Sequence, residues 1–379
     1  MTTRVLMLEP GGWGGICHYS YNLCKALSSD AVSVRLLTAE PYELQDLPHN
    51  FDVTTRFDAN TPYKTKLKEV IKSYRAYRPD VIHIQSTFSA RKDWFALAMC
   101  KMLNVPIVYT AHNILPHDAD EKDARGMKWA YGKLYAYSSH IIAHSEDSRV
   151  ALTNLFAPPP QKVSVIPHGN YVFAESETPR TKNTSRQHLK LNTDKRYLLA
   201  FGTIRPYKGT EDLLEAFAHI AHRFPDVDTL IAGKPIGQSP QELIDHINKL
   251  GLQDRVIFRP DYIALEDIAH YFEACDIAVY PYHAIYQSGA LQLAYAFARP
   301  VVATAVGAFP ETVDDGQNGI LVPTKDPEQF AQALTKMLSA PQTQLDAMGK
   351  HSRHLADTRY AWTSVAEKTT AIYKKLAAH

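Results

Sequence analysis

The sequence predicts an α/β protein made of two doubly wound domains, each with a parallel sheet covered by helices on both faces. Three observations lead there. Short apolar runs alternate with helical periodicities almost from end to end, the pattern of successive βαβ units. Several of those runs are apolar throughout, as parallel strands buried on both faces are. The rhythm breaks over residues 170–195 (NYVFAESETPRTKNTSRQHLKLNTDK), a polar, charged stretch that reads as an interdomain connection. It divides the 379 residues into halves, each large enough for a core of its own.

In the first half, strands are expected at residues 4–9, 33–38, 80–85, 106–110, 140–144 and 163–167. The first leads into GGWGG (11–15), ahead of a helix beginning near His18. Glycines there permit positive φ and let backbone N–H groups approach a ligand, although a tight turn uses them equally well. The run is not G-x-G-x-x-G and no acid clearly ends the second strand, which argues against a nicotinamide dinucleotide site.

Residues 63–78 (YKTKLKEVIKSYRAYR) hold six cations against one Glu, with Leu67, Val70, Ile71 and Tyr74 as an apolar stripe. This is either a helix docked on its sheet with a basic outer face, or a face that also touches anionic lipid. His112, in VYTAHNILPHD, stands just past a strand's carboxyl end, where open α/β sheets bind ligands; a capping or core role also suits it. His140 and His144 share one strand, where their spacing puts them roughly 13 Å apart, too far to share a metal ion. The acidic runs at 118–120 and 313–315 read as solvated loops.

In the second half, strands resume at 197–202, 228–233, 255–259, 276–281, 300–304 and 319–322. The first runs through Gly202 into a loop bearing Arg205, Lys208 and Gly209, then into a helix with Leu213, Leu214, Ala216 and Phe217 on its buried side. Two cations thus sit beside a helix N-terminus, whose free N–H groups and dipole favour anions. Arg supplies a planar fork for phosphate oxygens and Lys a mobile point charge. Alone, such a loop is better explained as a solvated basic turn. Residues 281–302 add a second candidate anion site, because Ser288-Gly289 opens a nearly all-apolar helix before the buried strand at Pro300. A last helix is expected over 360–377.

Composition narrows the classes. Hydrophobic content of 45% with 21% charged residues is ordinary for a globular chain, and a net charge of +1 gives no field for nucleic acid. Cys17, Cys24, Cys100 and Cys275 are scattered, as reduced thiols in a cytosolic protein are. No apolar run approaches the ~20 residues a membrane span needs, and the N-terminus lacks signal-peptide features. A cytoplasmic location follows as the expectation, with the inner membrane face open to it through the basic helix.

Taken in order, the motifs resemble glycosyltransferase family 4, the retaining, nucleotide-sugar-dependent enzymes of the GT-B fold. The resemblance runs essentially end to end: the glycine loop at 11–15, PDVIHIQS (79–86), the His of TAHN, VSVIPHG (163–169) and FGTIRPYKG (201–209). It continues through DIAVYPY, PVVATAVGAFPETVDDGQNGILVP (300–323) and a final helix opened by Tyr360 and Trp362. It implies two Rossmann-like domains facing a central cleft: an acceptor-binding domain at 1–175 and a nucleotide-sugar-binding domain at 176–358. A helix at 359–379 would cross back to the N-terminal domain.

Residue by residue, Arg205 and Lys208 match the pair that neutralises the donor diphosphate. Gly14 and Gly15 match the loop approaching the phosphates and sugar, and His112 the histidine near the transferred sugar. Ser288 and Gly289, with Ala290, match the loop lending N–H groups to the distal phosphate, and Tyr262 falls where main-chain contacts to the nucleobase arise. One departure stands out. Many members carry two glutamates before the PVV strand, the second binding the ribose; Ile285 and Leu293 occupy those places here. Gln292 is the candidate substitute. The S-G-A-L-Q-L-A version resembles a subgroup from bacterial surface-polysaccharide clusters.

The resemblance therefore implies hexose transfer from a UDP- or GDP-sugar to a glycan or lipid-diphosphate-linked acceptor, in exopolysaccharide or related surface-glycan biosynthesis. No metal or other cofactor is expected, and no nucleic-acid partner. Two rivals stay open: a catalytically weak homologue that binds a partner protein, motivated by the missing glutamates, and a nucleotide-sugar epimerase. The epimerase needs acidic and histidine residues around the sugar, and the C-terminal half offers no convincing set.

Overall fold

The computed structural model describes residues 2–102, 104–115, 121–171 and 180–378. They form two compact units, Met1–Gly169 with Tyr360–His379, and Asn170–Arg359. The chain thus leaves the first unit once and returns to it with its last helix. The expected boundary at 175 falls among residues outside the described set, as does the acidic run at 118–120.

The first unit is built on a seven-stranded parallel sheet. Its strands are β1 (Thr3–Glu9), β2 (Val32–Ala39), β3 (Asp52–Phe57), β4 (Val81–Ile84), β5 (Ile107–Thr110), β6 (His140–Ala143) and β7 (Val163–Val165), in the order β3-β2-β1-β4-β5-β6-β7. β4, β5 and β6 are buried throughout and β1 from Val5 onward, which their continuous apolar runs foretold. Around the sheet lie α1 (Gly14–Leu27), α2 (Tyr63–Tyr77), α3 (Ala90–Met102), α4 (Glu121–Tyr137), α5 (Glu146–Phe156) and the final helix, α14 (Trp362–Ala377). Ser145 caps α5 by accepting from the Ser148 N–H, and Glu146 and Asp147 complement the helix dipole in its first turn.

The second unit carries a six-stranded parallel sheet: β8 (Arg196–Phe201), β9 (Val227–Ala232), β10 (Val256–Arg259), β11 (Ile277–Tyr280), β12 (Val301–Thr304) and β13 (Gly319–Val322), ordered β10-β9-β8-β11-β12-β13. Its helices are α6 (Lys182–His188), α7 (Thr210–Ile220), α8 (Pro240–Lys249), α9 (Leu265–Ala274), α10 (Gly289–Ala296), α11 (Phe309–Thr312), α12 (Pro327–Leu338) and α13 (Gln342–Asp357). Leu198, Ile231, Ile277 and Val302 from the strands meet Leu213, Phe217, Phe330 and Leu334 from α7 and α12 in its core. Both sheets reverse strand order beside their first strand, at β1/β4 and at β8/β11, the place where such sheets bind ligands.

All twelve expected strands form, and a thirteenth, β3, joins them. Its sequence, DVTTRF, has one buried side chain, Phe57, because an edge strand is covered on one side only. The 170–195 stretch is not all connection. Residues 182–188 fold as α6 without apolar periodicity, held by a Thr181–Thr184 capping box and by Arg186, whose guanidinium meets buried Asp276 at 2.9 Å. Lys182 reaches the other Asp276 oxygen at 2.6 Å.

Candidate functional site

In the second unit, the candidate residues cluster where β8 and β11 diverge. Their loops are pinned together: the His283 N–H donates to the Tyr207 carbonyl at 2.7 Å, and His283 Nε2 meets Asp212 at 2.9 Å. Gly209 makes this closeness possible. It sits at φ +62°, and a Cβ there would lie 2.0 Å from the Pro281 carbonyl oxygen. A 3-10 turn, Pro206–Lys208, then carries Lys208 inward. Its ammonium sits 5.3 Å from the Tyr282 ring centroid, and it lines a cavity with Gly202, Thr203, Thr210 and Pro281.

Among the described residues Lys208 has no carboxylate partner. Burial, with the Arg205 charge adding to it, pushes its pKa down to about 8. Arg205 is half-buried beside it. The first turn of α7 already carries Glu211 and Asp212, so the attraction for an anion rests on the two cations more than on that helix end.

Ser288, Gly289 and Ala290 open α10. Ser288 Oγ accepts from the Leu291 N–H at 3.3 Å, an N-cap, and also bonds the Tyr282 hydroxyl. Tyr282 therefore links the Lys208 loop to the start of α10. The N–H groups of Gly289 and Ala290 precede any intrahelical acceptor, which leaves them for a ligand. Gln292 is 3% exposed, and its Oε1 has no partner among the described residues. Tyr262 stands apart, 46% exposed on the loop after edge strand β10. The 313–315 run is not simply solvated, because Asp314 holds His351 of α13 at 2.8 Å.

In the first unit, α1 begins at Gly14 rather than near His18, which places Gly14 and Gly15 in its first turn. Two carboxylates hold this glycine segment. Glu9, at the end of β1, accepts from the Gly11 and Gly12 N–H groups at 2.8 and 2.9 Å, and burial raises its pKa. Glu43 accepts from the Gly14 N–H at 2.7 Å and lies 3.0 Å from His18 Nε2. An anion arriving at Gly14 would have to displace Glu43.

His112 lies two residues past β5 and is buried. Its Nε2 is 2.9 Å from the Gln85 amide and its Nδ1 is 3.1 Å from His144 Nε2; His144 Nδ1 is 3.0 Å from the Ile166 carbonyl. Tyr19 of α1 packs edge-on against His112, His144 and Trp362 of α14 and tilts against His168. Burial holds these rings neutral, lowering His144 to about 4, His168 to about 3 and His112 well below the usual value.

Sequence reasoning missed Glu9, Glu43, Gln85, His144, His168 and Tyr282 as companions of the site. A signal for three of them was present. Gln85, His112, His144 and His168 each follow the carboxyl end of β4, β5, β6 and β7, which are consecutive neighbours in the sheet. His140 and His144, four residues apart in sequence, go separate ways; His140 Nε2 meets Ser164 Oγ at 2.9 Å. Among the described residues, no group of three metal-capable side chains is gathered.

Residues 13–170 match the family model described as Glycosyltransferase Family 4, and residues 195–340 the one described as Glycosyl transferases group 1. A D-inositol 3-phosphate glycosyltransferase of Frankia alni is 30% identical over 326 residues, covering 82% of this chain and 76% of its own length. The enzyme of that name from Segniliparus rotundus is 27% identical, covering 96% and 85%. Among solved structures, sucrose-phosphate synthase of Thermosynechococcus elongatus superposes with a TM-score of 0.80 at 20% identity, covering 99% of each chain. HepE of Anabaena, solved with UDP-glucose, gives 0.80 at 20% identity, covering 98% of this chain and 99% of its own. Such likenesses show that the two sheets are those of the GT-B fold.

Proposed function

The chain belongs to glycosyltransferase family 4, and from that premise we propose that it moves a hexose from a UDP- or GDP-sugar to a glycan or lipid-diphosphate-linked acceptor, with retention at the anomeric carbon. The observation that carries this reading is Lys208. A half-buried ammonium without a carboxylate partner among the described residues, depressed to about pKa 8 and held over an aromatic face, is a charge arranged for an incoming anion. Arg205 adds a second cation from the same loop, and the α10 N–H groups a third set of donors.

In this mechanism the acceptor hydroxyl attacks on the face the nucleotide leaves, and the departing phosphate takes the hydroxyl's proton. Lys208 and Arg205 hold the charge that grows on the diphosphate as the glycosidic bond breaks. His112 stands by the transferred sugar. Gln292 Oε1, buried without a partner among the described residues, takes a ribose hydroxyl in place of the glutamate that Leu293 replaces. HepE's complex favours a uridine donor. The named relatives act on an inositol phosphate, which makes a phosphorylated or lipid-linked acceptor for surface-glycan synthesis a natural class.

The surface formed by α2, α3 and α4 supports contact with an anionic membrane. Trp129 is 53% exposed and Met102 85%, among Lys92, Lys101, Lys128 and Lys133. The α2 stripe of Leu67, Val70, Ile71 and Tyr74 is only half-buried. No helix among the described residues is long and apolar enough to cross a membrane, so this contact would be peripheral.

The test is donor turnover. Purified protein is incubated with UDP- and GDP-hexoses and a membrane lipid extract, and nucleotide release and labelled product are measured. One donor consumed, with its anomeric configuration kept in the product, supports the reading. No turnover of any donor turns it toward a partner-binding homologue.

A further inference from the structure

We propose that His144 is a positioning residue that fixes His112 in the Nδ1–H tautomer, leaving Nε2 as a bare acceptor for a hydroxyl proton. This rests on the reading of His112 as the residue beside the transferred sugar. The argument starts at the one end of the hydrogen-bond chain that has no choice. The Ile166 carbonyl, 3.0 Å from His144 Nδ1, can only accept, so that nitrogen carries a proton. A neutral His144 then has a bare Nε2. His112 Nδ1, at 3.1 Å, must donate to it. A neutral His112 is left with a bare Nε2, facing the Gln85 amide at 2.9 Å.

The amide stands with Oε1 toward His112, but which end of an amide is oxygen is decided by the bonds it makes, and here the chain requires it turned over, with the Gln85 NH2 group toward His112. The contact given up is Gln85 to the Met7 sulfur, a weak acceptor. The remainder closes without a charge. The Gln85 oxygen and Thr110 Oγ1 accept from His83 Nε2–H, and His83 Nδ1 accepts from the Tyr373 hydroxyl of α14. Reversing every proton instead would set a bare His144 Nδ1 against the Ile166 oxygen, or require a buried imidazolium. Neither is tolerable at neutral pH where burial already disfavours the cation.

The consequence for chemistry is specific. His112 so fixed accepts from a sugar hydroxyl, with Gln85 as the group the hydroxyl joins or displaces. It cannot serve as a proton donor to the leaving phosphate.

Two measurements test this. In the full-length protein labelled with 15N-histidine, two-bond 1H–15N spectra should show His112 with a protonated Nδ1 and bare Nε2, identified by loss of its signals in His112→Gln. An Nε2–H tautomer, or an imidazolium at pH 7, overturns the proposal. This readout needs no substrate, so it separates failure here from failure of the proposed activity. Kinetically, His144→Leu should lower kcat about 10- to 100-fold with donor KM changed less than about twofold. His144→Gln should recover most of the loss, because its amide accepts from His112 and donates to Ile166. Equal kcat in the two variants overturns the positioning role, and the spectrum decides the matter if His144→Leu does not fold.

Discussion

Acidification should unfold the first unit well before it disturbs ordinary surface groups. His83, His112, His144 and His168 are all buried and neutral, with His83 and His168 lowered to about 3 and His144 to about 4. In the unfolded chain each returns to about 6.5. The unfolded state therefore binds more protons below pH 6.5, so stability is fully present above that value and lost as pH falls toward the native values. Between pH 7 and 5.5 each ring costs about 1.2 kcal/mol, or about 5 kcal/mol for the four. Glu9 and Asp93, whose pKa values burial raises, take up protons in the native state and oppose part of this loss.

A loss of several kcal/mol is a large share of the roughly 5–15 kcal/mol that stabilises a domain. The assay is convenient because all four tryptophans, Trp13, Trp94, Trp129 and Trp362, belong to the first unit. Urea unfolding followed by tryptophan fluorescence at pH 7, 6.5, 6 and 5.5 reads that unit alone. His144→Gln, which cannot titrate, should flatten the curve by one ring's share. An unfolding free energy at pH 5.5 within about 1 kcal/mol of its pH 7 value would refute the reasoning.

Further outcomes follow from the second unit. Lys208→Ala should lower turnover by roughly 10²-fold or more, the scale of a lost oxyanion stabiliser, and near-normal turnover would remove Lys208 from the mechanism. Donor affinity should be full below pH 8 and weaken above it, approaching tenfold per pH unit, because a diphosphate needs the protonated ammonium of a group with a free-state pKa of about 8; calorimetric titration from pH 7 to 9.5 measures this, and a flat profile contradicts it. Gly209→Ala should cost about 1–3 kcal/mol of stability and abolish nucleotide binding, since its Cβ would strike the Pro281 carbonyl and push the two loops apart; unchanged binding in a folded variant would show that their closeness is dispensable. Gln292→Leu should weaken nucleotide binding while stabilising the apo protein, because it removes a buried oxygen without a partner among the described residues; thermal melts with and without nucleotide check both halves.

The fold was legible where local signals and tertiary context agreed. Strands such as VIHI and IVYT are buried on both faces, so apolar runs alone announce them. β3 and α6 escaped for opposite reasons. β3 is half covered and polar, and α6 is fastened by the ions around Asp276 rather than by an apolar stripe. At the site, Arg205, Lys208 and Ser288 could be placed because strand, loop and helix follow one another in sequence. His144 could not be paired with His112, 32 residues away, without knowing that β5 and β6 are neighbours. Glu43 was invisible for the same reason, since it meets Gly14 across 29 residues.

The most direct test of the diphosphate site is titration of the purified protein with UDP, GDP and ADP, alongside an Arg205→Ala, Lys208→Ala double variant. A nucleotide at 100 times its Kd should add about 2.7 kcal/mol of stability, visible as a shift in Tm. The account predicts a shift with UDP or GDP in the wild-type protein and none in the double variant. No shift with any nucleotide, or an equal shift in the folded double variant, would contradict it.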